Sequence, residues 1–175
     1  IELDDPGTVD AATAAVAVAR RSGRPDPLAL ALCRLAVVLA RVGRAPEALA
    51  LLEEAAPLVR SAALHDSYLD ALAMTRVSLG DHAGALAARD RRTPSRMPLE
   101  DRIWHSNNRA HTLLALGRPA DAQAELRQVV SYFDELTAKL VPDDVSKRVY
   151  FERTRALVGL HVTVLAEVGE PEAAL

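Results

Sequence analysis

Residues 28–60 read LALALCRLAVVLARVGRAPEALALLEEAAPLVR, two apolar stretches of helical period divided by Gly43. Before the glycine, Leu28, Leu32, Leu35, Leu39 and Val42 recur three or four residues apart. After it, Ala48, Leu52, Ala55 and Leu58 do the same, so each set falls on one face of a helix. Gly43 stands where a chain leaving one helix must enter the left-handed region to turn back, a conformation glycine adopts without steric penalty. Small side chains at Ala36, Ala48 and Ala55 let two helix axes approach to about 8–10 Å. The stretch predicts an antiparallel helix hairpin.

The pattern recurs along the chain. A glycine followed five residues later by alanine stands at Gly7/Ala12, Gly43/Ala48, Gly80/Ala85, Gly117/Ala122 and Gly169/Ala174, with glycine-to-glycine steps of 36, 37, 37 and 52. A helix-turn-helix period of this length specifies an all-α fold, an α-solenoid of stacked antiparallel hairpins that offers a long curved surface to a partner. The spacing predicts helices over 8–21, 26–42, 45–60, 65–79, 82–91, 98–116, 119–140 and 144–168, with a stub from 171. One repeat domain over 1–175 follows, with a partial repeat over 1–25 and repeats over 26–60, 61–97, 98–143 and 144–175. Both edges read as cut. The first helix has the register of the second half of a repeat, and the segment from Gly169 to Leu175 copies the one from Gly43 to Leu49 before stopping. The expectation is a piece of a longer array.

Composition narrows the class further. The chain is 50% hydrophobic but only 3% aromatic, so its core must be built from Ala, Leu and Val, as close-packed helices allow. A net charge of −3 leaves no electrostatic footprint for nucleic acid or an anionic membrane. No apolar run reaches the roughly 18–20 residues a bilayer requires. Cys33 is the only cysteine, which excludes an internal disulfide and favours a reducing, cytoplasmic setting. Arginine and alanine far outnumber lysine, found only at Lys139 and Lys147, a bias of GC-rich genomes such as those of actinobacteria.

Leu35-Ala36, Leu39, Gly43-Arg44, Glu47-Ala48-Leu49 and Glu54-Ala55 resemble the tetratricopeptide repeat, with its small residue in the first helix, glycine at the turn and two alanines in the second. The match recurs at Leu72-Ala73, Gly80-Asp81 and Ala85-Leu86, and again at Ala110, Leu113, Gly117-Arg118 and Ala122. The family's aromatic near the start of the first helix is replaced by Leu32, Leu69, Ser106 and Val158, and its closing proline by Arg60, Met97 and Asp134. Leucine-rich, aromatic-poor repeats of this type are similar to those of bacterial signal-transduction ATPases and of large activators like the maltose regulator. The resemblance implies a right-handed superhelix whose first helices line a concave groove. It puts Cys33 and Val37, Asp70 and Met74, and Asn107 and His111 on ligand-facing positions, with Trp104 and Asn108 adjoining. The third repeat is the richest, because its asparagines can donate and accept while Trp104 offers an apolar face with one donor. The lysine and asparagine set with which some family members clamp a C-terminal carboxylate is missing at these positions.

Catalytic and metal chemistry finds no constellation. His65, Asp66 and Ser67 are the residue types of a hydrolytic triad, but adjacent side chains on a helix diverge by about 100° and cannot relay a proton. His105 and His111 are six apart with no matching acidic partner, which leaves a zinc site unsupported. No phosphate-binding glycine motif is present, so neither an enzyme nor a bound cofactor is expected.

Two irregular segments stand out. Arg89 to Pro98 is polar, basic and holds two prolines, which predicts a solvated connector, with anion binding or phosphorylation at Thr93 or Ser95 as the alternative. The long step before Gly169 contains two extended helices joined at Val141-Pro142-Asp143-Asp144; near their overhang Tyr132, Phe133, Tyr150 and Phe151 are expected to pack within the hairpin or cover an oligomer contact. The function expected is an interaction and sensing module of a bacterial regulator, binding a protein, a peptide or a small-molecule inducer. A constitutive assembly scaffold or homo-oligomerisation domain is the alternative.

Overall fold

The computed structural model describes residues 6–140. Seven α-helices follow in order: α1 (Pro6–Ser22), α2 (Pro25–Arg41), α3 (Ala45–Ala55), α4 (Ala62–Ser78), α5 (His82–Asp90), α6 (Leu99–Ala115) and α7 (Pro119–Leu140). Short 3-10 turns cover Ala56–Leu58 and Pro94–Arg96. Among the described residues there is no strand, and the architecture is the all-α helical repeat that the spacing predicts. No helix among them is long and apolar enough to cross a membrane. The helix predicted over 144–168 and the stub from 171 lie outside the described residues.

The hairpin turns have one construction. Gly43, Gly80 and Gly117 take φ of +79°, +78° and +67°. At each, the glycine N–H donates to a carbonyl three residues back, and the next N–H reaches five back: Arg44 to Leu39 at 2.8 Å, Asp81 to Arg76 at 2.9 Å, Arg118 to Leu113 at 2.9 Å. These paired bonds satisfy carbonyls that a helix end leaves open, and they reverse the chain in two residues. Two departures from the glycine series appear. Gly7 falls inside α1, whereas Gly23, outside the series, takes φ +66° and joins α1 to α2.

Helix boundaries differ from expectation at two places for local reasons. The helix expected over 45–60 stops at Ala55 and tightens into a 3-10 turn at Pro57, whose ring blocks continued α-helical bonding. The helix expected from 65 begins at Ala62, because the Ser61 hydroxyl caps it by accepting from the Leu64 N–H at 3.3 Å.

The chain divides into two compact units, Ile1–Arg92 and Thr93–Leu175. In the first, α2 packs against α1, α3 and α4, and α4 against α5. Its core is almost wholly Ala and Leu, with Ala36, Ala48, Leu52 and Ala55 at 0% exposure. Those alanines are the small residues the sequence places at the helix crossing. In the second unit α6 packs against α7, burying Ile103, Ala110, Leu113, Ala122, Leu126 and Val129. That unit also buries His105, Ser106, Asn107, Thr112 and Gln123.

The connector before α6 is tied down. Met97 is buried, and the Arg102 guanidinium donates to the Met97 carbonyl at 3.0 Å and the Ser95 carbonyl at 3.3 Å while lying over the Tyr132 ring at 5.9 Å. Thr93 and Ser95 remain exposed.

Candidate functional site

Helix α6 concentrates the chemistry. Its buried residues, Ile103, His105, Ser106, Asn107, Ala110, Thr112 and Leu113, cover about two thirds of the helical circumference at 100° per residue. The remaining stripe runs Asp101, Trp104, Asn108, His111 and Ala115, spaced three and four apart so that they share one side. Trp104 is 57% exposed, and Asp101 and His111 are exposed as well, while Asn108 is half-buried.

This helix starts at Leu99 directly after Pro98, a residue confined to extended backbone here (ψ 155°) and without a capping side chain. Glu100 and Asp101 in the first turn therefore meet the positive end of the helix dipole uncapped. At the other end Thr112 back-bonds to the Asn108 carbonyl at 2.8 Å, as Thr75 does to Ala71 in α4. On the side facing α7, Arg109 donates to Glu125 at 2.8 Å, with side-chain exposures of 22% and 14%. Both α6 arginines, Arg102 and Arg109, are thus engaged away from the exposed stripe.

The other residues expected on the groove are placed differently. Cys33 belongs to the core of the first unit at 3% exposure, and burial pushes its thiol up to about 11. Helix α2, which carries it, is packed by α1, α3 and α4. Asn107 is likewise buried at 6%, with its Oδ1 lacking a hydrogen-bond partner among the described residues. Val37 packs half-buried against the core, and Met74 is half-buried on α4. Asp70 is engaged by arginines, accepting from Arg92 Nη1 at 3.0 Å with Arg89 Nη1 at 4.0 Å. Sequence reasoning missed that cluster. The signal was Arg89 and Arg92 at helical spacing in a basic stretch read as solvated, yet their side chains are only 3% and 11% exposed.

One cavity of about 400 Å³ opens in the first unit, lined by residues of α1, α2 and α3. Arg20 and Glu54 tie the C-terminal ends of α1 and α3 together at 2.7 Å, and Val9 of α1, Leu35 and Leu39 of α2 and Leu51 of α3 line the cavity. At its rim Arg44 and Glu47 are paired through two contacts of 2.7 Å, so neither offers an unspent charge to orient a ligand. Along α4, the Ser67 hydroxyl is turned to the Ala63 carbonyl at 3.2 Å. Among the described residues no cluster of three or more His, Cys, Asp or Glu could hold a metal ion.

Comparison with known proteins finds a repeat family in two segments. Two segments, residues 29–54 and 103–128, match the tetratricopeptide repeat. They cover α2 with α3 and α6 with α7 in the same register about Gly43 and Gly117, and they support a place for the chain among tetratricopeptide repeat proteins. No curated protein matches the chain.

Proposed function

We propose that this chain is a protein- or peptide-interaction module of a bacterial regulatory protein, and that its partner is seated on the exposed stripe of α6. Tetratricopeptide repeats generally mediate protein–protein contacts, and two of the hairpins here match them. The observation that carries the choice of face is Trp104, 57% exposed on a helix whose other large apolar side chains are buried or half-buried. An indole left in water beside Asn108 and His111 combines an apolar anchor with hydrogen-bonding groups, the makeup of an interaction hot spot. The regulatory role draws on the leucine-rich, aromatic-poor character of the repeats.

A small-molecule inducer is less well supported, since the cavity between α1 and α3 has no unpaired charged group at its rim. The assembly-scaffold alternative has less support near the overhang, because Tyr132 packs against Ile103 and Val129 and lies under Arg102. Tyr150 and Phe151 lie outside the described residues, as does the side chain of Phe133.

The test is site-specific photo-crosslinking, with a benzophenone side chain placed at position 104 or at exposed position 128 on α7. Cross-linking of a polypeptide from position 104 and none from 128 is the expected result. Equal labelling from both, or labelling from 128 alone, would remove the partner from this stripe.

A further inference from the structure

We propose that the α6 stripe recognises a basic side chain of its partner, an arginine or lysine held between the Trp104 ring and the carboxylates of Glu100 and Asp101. This rests on the stripe being the binding face and adds the chemistry of what it binds.

Glu100 and Asp101 precede Trp104 by four and three residues, so on the helix they lie one turn away, to either side of it. Long helical side chains lean toward the N-terminus, which carries the indole over the turn bearing both acids. Both carboxylates are exposed, and neither has an ion-pair partner among the described residues. The two arginines of α6 are committed elsewhere: Arg102 to two carbonyls and the Tyr132 ring, Arg109 to Glu125. The stripe therefore presents two negative charges and an aromatic face, with neither arginine of α6 answering them. A guanidinium or ammonium placed over the indole gains cation–π attraction, and an arginine also matches a carboxylate bidentately. An acidic or purely apolar side chain would meet uncompensated repulsion or leave both charges unused.

Acids in the first turn of a helix also stabilise it through the dipole. That role leaves Trp104 unexplained, and the two roles separate by experiment. Trp104 is the only tryptophan, so its emission reports directly on this spot. The intact chain is titrated at low ionic strength with end-blocked tri-arginine, tri-alanine and tri-glutamate peptides. Tri-arginine is expected to give a saturable change that weakens as salt rises, whereas the other two give none. The E100Q/D101N variant should bind tri-arginine about tenfold more weakly with unchanged helical circular dichroism, while E53Q on α3 matches the wild type.

Several results would overturn the proposal. One is an unchanged tri-arginine affinity in E100Q/D101N, or an equal loss in E53Q, which would reduce the effect to net charge. A saturable response to tri-glutamate or tri-alanine in place of tri-arginine would refute the basic ligand while leaving Trp104 on a binding face. Silence toward all three peptides would also refute it, with cross-linking from position 104 deciding the face independently.

Discussion

The α2–α3 and α6–α7 hairpins match the same repeat and share its buried skeleton, yet they dress it with opposite chemistry. Ala36 and Ala110, Gly43 and Gly117, Ala48 and Ala122, and Leu52 and Leu126 occupy equivalent positions, and the alanines and leucines of both sets are buried. Around them, several positions that are apolar in the first hairpin carry polar side chains in the second. Leu30, Ala31, Leu32, Arg34, Val37 and Leu49 correspond to Trp104, His105, Ser106, Asn108, His111 and Gln123. Two exchanges are reciprocal. Leu35 and Leu51 give way to the Arg109–Glu125 ion pair, and Leu28 and Leu58 to Arg102 over Tyr132. Close-packed small residues and left-handed glycines thus hold the hairpin, while flanking positions can be apolar or polar provided they change together.

If the skeleton is shared, damage to it should cost the same in both hairpins. Leu52→Ala and Leu126→Ala remove side chains that are 0% and 1% exposed, and each is expected to lose about 3 kcal/mol in denaturant unfolding. A large loss at one and little at the other would mean the second hairpin is held by something besides this core.

The reciprocal exchange gives the next effect. Arg109→Leu leaves Glu125 mostly buried and is expected to destabilise by about 2 kcal/mol, because an unpaired carboxylate there is poorly solvated. Adding Glu125→Leu should restore most of that loss, since the pair then copies Leu35 and Leu51. Additive losses in the double variant would show that the ion pair has no apolar equivalent at this site.

How much of this could be read from the chain follows the same division. Hairpins, turn glycines and buried alanines have fixed spacing, and a period near 37 exposed them without any structure. His111, expected on a groove position, and Trp104, expected to adjoin one, are exposed on one side of α6. Cys33 and Asn107, expected to face the groove, occupy the same position in the two hairpins and are both buried. The tie of Arg102 to Ser95 and Met97 and the convergence of Arg89 and Arg92 on Asp70 join residues at irregular separations. Such side-chain contacts leave no periodic trace, so a polar stretch reads as solvent-exposed even when its arginines are buried.

A smaller effect concerns the turns. Gly43→Ala and Gly117→Ala place a Cβ at φ +79° and +67°, with open space around each, so strain is confined to the backbone. Each is expected to lower stability by about 1 kcal/mol in thermal or denaturant unfolding. A loss at Gly117 well above that at Gly43 would indicate that the polar hairpin depends on its turn more than the apolar one does.

The central claim, that interaction is carried by the polar hairpin and not by its apolar counterpart, is tested most directly by affinity for the cross-linked polypeptide in Trp104→Ala and Leu30→Ala, the same position in the two hairpins. The account predicts at least about a tenfold loss for Trp104→Ala and little change for Leu30→Ala. Unchanged affinity in Trp104→Ala, or a greater loss in Leu30→Ala, would contradict it.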